Sequence, residues 1–176
     1  MKKTLKTIYI FLIIVLIYML QLFVINNHTL FGTKPNLILI SVIVVSLWFG
    51  LYTGSIFSFI IGILTDILFG NTYGIFTIAY TITGMTIGFL NYNYRKENKL
   101  SLVYVTLMSV IIFEFIQYIS YTVITGSYSS ITYLFKQMFM SSLLNIIIVY
   151  IIYEIIYKIA KSVDDEERVY VINRRY

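Results

Sequence analysis

Three carboxylates fall inside apolar runs of this 176-residue chain, and two of them, Glu114 and Asp66, are its first candidates for chemistry. Glu114 lies near the middle of Leu100–Ile124, with Gln117 and Tyr118 three and four residues on, so a helix places all three on one face. A carboxylate at membrane depth is costly to hold and is a functional-site candidate by default. A proton relay needs basic partners, and no Lys, Arg or His lies deep in an apolar run. The reading favoured here is a protonated or hydrogen-bonded Glu114 that ties its helix to Gln21 or Asn145. Asp66 stands near the end of a second run, followed by Ile67-Leu-Phe-Gly70. It reads equally as an interfacial residue that helps stop a helix, or as a polar anchor for the Gly70–Gly74 turn or an extracellular partner. Glu154 with Lys158 four residues on is ordinary helix-end charge pairing.

Other catalytic chemistry has few parts. The chain has no cysteine and a single histidine, His28, which excludes thiolate centres, disulfides and multi-histidine metal sites. No phosphate-binding loop, serine-hydrolase motif or His–Glu zinc motif is present. The expectation is a protein that is not an enzyme and needs no cofactor or metal.

Small residues supply a different pattern. Seven of the nine glycines lie between Gly50 and Gly88. Gly50, Gly54, Ser58, Gly62, Asp66 and Gly70 recur every four residues, and Gly84 and Gly88 repeat the interval. That spacing keeps small groups near one helix face, where a second backbone can approach closely. Gly54, Gly62, Asp66, Gly70, Gly74, Gly84 and Gly88 are therefore the packing or partner-contact candidates. Glu114, Gln117 and Asn145 are the intramembrane polar ones.

The elements that must position these residues are membrane-length helices. The chain is 59% hydrophobic and only 12% charged, which excludes an ordinary soluble domain. A spanning helix needs roughly 20 apolar residues. Candidate spans are 8–25, 37–49, 51–69, 73–90, 100–124 and 134–157, giving a six-helix bundle over 1–157 and a short cytoplasmic tail over 158–176. The run from Asn36 to Phe69 would extend about 50 Å as one helix, too long for a bilayer, so it must break near Gly50. The first half, 37–49, is short enough to be re-entrant or tilted.

Basic residues sort by side. From an inner N-terminus, Lys2, Lys3, Lys6, Arg95, Lys96, Lys99, Lys158, Lys161, Arg168, Arg174 and Arg175 face the cytoplasm, and only Lys34 and Lys136 face out. This positive-inside bias predicts that both termini are cytoplasmic, with the N-terminal run retained as the first span. It also accounts for the net charge of +5 without nucleic acid. The tail segment 169–172, Val-Tyr-Val-Ile, is either part of a frayed helix end or a docking strip.

The ordered set Lys34-Pro-Asn-Leu-Ile-Leu39, Gly54, Gly62-Ile-Leu-Thr-Asp66-Ile-Leu-Phe-Gly70-Asn-Thr-Tyr-Gly74 and Gly84-Met-Thr-Ile-Gly88 resembles the MreD family of bacterial rod-shape-determining membrane proteins. That family's pattern places Pro-Asp/Asn-Leu at the start of the second segment and a Gly-x-x-x-Asp element at the end of the third. Asn36 stands here where Asp is common. The resemblance is close over about 34–88; elsewhere size, hydropathy and topology match. It implies a non-enzymatic component of the cell-elongation machinery in the bacterial cytoplasmic membrane. The partners implied are an MreC-like bitopic protein, an MreB-type filament, a RodA-type glycosyltransferase and a penicillin-binding transpeptidase, besides membrane lipid. The family's fold is similar to the substrate-binding S-component of energy-coupling-factor transporters, so the alternative is a subunit for uptake of a small molecule such as a vitamin. Small residues on the first span make the coupling contact in such subunits. Here 8–25 contains no Ala, Gly or Ser, which speaks against that alternative.

Overall fold

A computed structural model describes residues 17–21, 33–69, 74–90, 99–126 and 130–151. The helices are α1, described over 17–21, α2 (Leu37–Phe69), α3 (Ile75–Leu90), α4 (Lys99–Thr125) and α5 (Ile131–Ile151). Among the described residues three stretches are long and apolar enough to cross a membrane: Leu37–Leu68, Leu100–Thr125 and Ile131–Ile151; Ile75–Leu90 is a shorter apolar helix. Most of the expected first span, the C-terminal part of the sixth, the basic loop 91–98 and the tail 158–176 lie outside the described residues.

α2 is not one rod. Gly50 has φ 79° and ψ −172°, a backbone region open in practice only to glycine. There the chain doubles back. Residues 36 and 65 would be about 43 Å apart along a straight helix. Instead Gln21 bonds the backbone at Pro35 and Leu37, while Tyr18, one turn before it, reaches Ile61 and Thr65. Both ends of α2 therefore lie at the same end of the bundle, with Gly50 at the other.

The second half of α2 pairs with α3 along the small-residue positions. A methyl group added at Gly62 would sit 2.5 Å from Thr77 Cα, and one at Gly88 would sit 2.8 Å from Leu51 Cα. At Gly84 the obstacle is Ser58, whose Cβ would be 2.6 Å away, and at Gly54 it is Ser46 across the hairpin, with Cα at 2.7 Å. Only a missing Cβ permits backbones this close, and dispersion over that contact, not water exclusion, drives helix association in lipid. α3 therefore runs antiparallel to the second half of α2.

The outside of the pair is the reverse of a soluble helix. Gly54, Ser58, Thr65 and Asp66 are buried, whereas Ile56, Phe59, Ile60, Ile63, Leu64, Ile67 and Leu68 are exposed. Large apolar side chains outward and small or polar ones inward suit a hydrocarbon surround. Behind the seam, Leu39, Val42, Ile43, Leu47, Tyr80, Ile87, Leu102 and Val110 form the core. Tyr80 joins α3 to α4 through its ring contact with Phe113, centroid to centroid 4.7 Å.

Candidate functional site

The polar residues gather where α2 and α3 begin, because helix starts leave backbone N–H groups without intrahelical partners. Hydrocarbon offers no water to satisfy them. At the start of α2, Pro35 cannot donate, and Asn36 acts as the N-cap. Its Oδ1 accepts from Leu39 N at 2.9 Å, and its carbonyl accepts from Ile40 N at 3.2 Å. Two distant amides complete the cap. Leu37 N donates to Gln21 Oε1 (2.9 Å), and Gln21 Nε2 donates to the Pro35 carbonyl (3.1 Å). Asn36 N donates to Asn145 Oδ1 (3.0 Å), whose Nδ2 donates to the Ser141 carbonyl (2.8 Å). The Tyr80 hydroxyl adds a 3.0 Å bond to Asn36 Oδ1. One helix start thus ties α1, α3 and α5 to α2.

α3 begins differently. Gly74, at its N-cap, has φ 99° and no side chain to offer; nothing lies within 4 Å of where its Cβ would be. Its carbonyl accepts from Ile78 N at 3.0 Å. The side-chain cap is supplied by Asp66 of α2, which accepts from Phe76 N (3.0 Å), Thr77 N (2.8 Å) and Thr77 Oγ1 (2.5 Å). A carboxylate at a helix N-terminus also meets the positive end of the helix dipole. Asp66 is 3% exposed, so it does not stop α2 by reaching water; it caps the neighbouring helix from inside the bundle.

Between these capped starts and helices α4 and α5 lies a cavity of about 330 Å³. Gln21, Asn36, Thr65 and Tyr80 form one side, and Glu114, Gln117, Gln137 and Ser141 line it from α4 and α5. Glu114 is hydrogen-bonded to Ser141. This corrects the expected tie to Gln21 or Asn145: the unsatisfied start of α2 claims both amides, leaving a hydroxyl of α5 for Glu114. Gln137 accepts from Thr33 Oγ1 at 3.3 Å. Among the described residues the Gln117 side chain has no hydrogen-bond partner.

The structure therefore divides the candidates into three groups. Gly54, Gly62, Gly84 and Gly88 meet within the chain's own seam. Asp66 and Asn145 belong to the helix caps. Glu114 and Gln117 face the cavity. Gly74 has a turn conformation and no close packing, which corrects its place among the packing glycines, and Gly70 lies outside the described residues. Asn36, Thr77, Tyr80, Gln137 and Ser141 went unassigned from sequence. For Asn36 a signal was available, since Asn between Pro and an apolar run is an N-cap signature.

The family model described as rod shape-determining protein MreD matches residues 1–163. The chain belongs to the MreD family. Pro35–Leu37, Gly62–Asp66 and Gly84–Gly88, which carry the resemblance in the sequence, are the α2 cap, the Asp66 cap and the glycine seam. This MreD-family chain is thus a membrane protein of a rod-shape-determining family with three candidate spanning helices among the described residues. No curated protein and no solved structure matches it.

Proposed function

We propose that this protein is a non-enzymatic membrane scaffold of the cell-elongation complex, organising peptidoglycan synthesis with both termini in the cytoplasm. The family match over residues 1–163 carries the reading. The fold supports it: the glycine seam and the two caps interlock α2 and α3 into a rigid unit. Its outer faces, including Phe59, Ile63, Ile78, Ile82, Met85 and Phe89, stay free for lipid or partner helices. Since Gly54, Gly62, Gly84 and Gly88 are already packed against Ser46, Thr77, Ser58 and Leu51 of the chain itself, partner contact falls to those apolar faces. The proposed partners are an MreC-like bitopic protein, a RodA-type glycosyltransferase, a penicillin-binding transpeptidase and an MreB-type filament.

The test is mild detergent extraction of a tagged copy at native level, with co-purifying proteins identified by mass spectrometry. Recovery of the bitopic partner or the elongation synthases is expected. Recovery of a paired ATPase module with its membrane coupling subunit would replace the scaffold with the uptake reading.

A further inference from the structure

The cavity contains hydrogen-bonding capacity that the described residues do not use. On its α1–α2 side the polar groups are committed: both ends of the Gln21 amide bond backbone, and Asn36 Oδ1 accepts from Leu39 N and Tyr80. On the α4–α5 side the position is reversed. Glu114 has the Ser141 hydroxyl as its hydrogen-bond partner, although a carboxylate accepts about four bonds. Among the described residues, neither the Gln117 amide nor the Gln137 NH₂ group has a partner. Packing alone does not account for this wall. Groups left unmatched at membrane depth lower stability, and an apolar side chain in each place would satisfy the same helix contacts.

The remaining lining defines the chemistry. Phe76, Tyr80 and Phe113 supply aromatic surface, and Lys34 lines the same cavity. Its volume of about 330 Å³ falls in the range of small-ligand pockets, roughly 300–1,000 Å³. An acceptor-rich carboxylate beside the Gln117 amide oxygen and aromatic faces suits a primary ammonium, through charge-assisted hydrogen bonds and cation–π attraction. The Gln137 NH₂ group supplies a donor, and Lys34 a positive charge on the same lining, for an anionic group on the same molecule.

From this wall we infer that the cavity is a binding site for a zwitterionic amino-bearing group. Its ammonium sits against Glu114 and the Gln117 amide oxygen, and its phosphate or carboxylate lies towards Lys34 and the Gln137 NH₂ group. The group is the ethanolamine phosphate head of a membrane lipid or the same chemistry free in solution.

The experiment uses the full chain in nanodiscs and reads thermal unfolding together with retained lipid by native mass spectrometry. Discs of phosphatidylethanolamine are compared with discs of phosphatidylcholine and of phosphatidylglycerol; separately, free phosphoethanolamine is added to phosphatidylglycerol discs. The expected result is stabilisation and retained lipid with phosphatidylethanolamine over both other lipids, because only its head donates N–H bonds. Stabilisation by the lipid alone assigns the site to a lipid head, and stabilisation by free phosphoethanolamine assigns it to a soluble ligand. Glu114→Gln keeps an acceptor for Ser141 and should fold, yet lose about tenfold or more in affinity. Gln117→Leu, which breaks no bond among the described residues, should weaken binding independently. Equal melting in all lipids with no response to phosphoethanolamine overturns the inference, as does a response unchanged in both variants; either leaves a cavity filled by water only.

Discussion

The α2–α3 seam and the α4–α5 wall of the cavity each hold one carboxylate, and they treat it in opposite ways. Asp66 is 3% exposed and accepts three hydrogen bonds from the first turn of α3, beside glycines that leave no space for a methyl group. Glu114 is partly buried, has Ser141 as its partner and borders open volume. In the first region the carboxylate is matched by the start of α3 and closely packed, so a change at Asp66 unmatches something. The second is under-matched and roomy, so it tolerates change within the fold.

Asp66→Ala is the sharpest way to break this contrast. It strands two backbone N–H groups and a threonine hydroxyl, at a cost of about 3–5 kcal/mol. Little folded protein should be recovered on size-exclusion in detergent. A well-folded alanine variant would show that the α3 start is satisfied by other means. Gly62→Ala comes next, at about 1–3 kcal/mol, because its obstacle is Thr77 Cα and no rotamer change relieves it. Thermal melts of Gly62→Ala and Gly84→Ala should both fall clearly, since neither Thr77 Cα at Gly62 nor Ser58 Cβ at Gly84 is moved by a rotamer change; a parent-like melt for either would mean that the helices simply separate.

Asn145→Leu removes the acceptor for Asn36 N and should lower stability by about 1–2 kcal/mol. Gly74→Ala should cost about 1 kcal/mol through conformation alone, since φ is 99° with open space around it. If it melts as low as Gly62→Ala, the turn has packing the structure does not place there. Smallest of all, Glu114→Gln should stay within about 0.5 kcal/mol of the parent in a melt without ligand, as the amide still accepts from Ser141. Glu114→Leu should melt lower because it removes the acceptor for that hydroxyl, whose oxygen keeps only the 3.3 Å bond from Asn145 Nδ2. A large loss in the Gln variant would mean that the charge is needed for folding itself.

Much of the seam was legible before any coordinates. Four-residue spacing of Gly54, Ser58, Gly62 and Asp66 carries its own geometry, because a helix fixes which residues share a face. The need to break the run from Asn36 to Phe69 follows from its length. The partners of the polar residues were not legible. Gln21, Asn36 and Asn145 lie far apart in sequence, and nothing local says that the start of α2 would claim both amides and leave Ser141 to Glu114. Tyr80, one of seventeen tyrosines, had no pattern to distinguish it.

The sequence by itself determined that this is an apolar, helical membrane chain with a close-packing glycine face, since length, hydropathy and periodicity are local quantities. Only the tertiary structure decided what each carboxylate does. Hydrogen-bond satisfaction depends on which helix ends meet in space, and in hydrocarbon, with no water to substitute, that meeting turns Asp66 into a cap and leaves Glu114 facing a cavity.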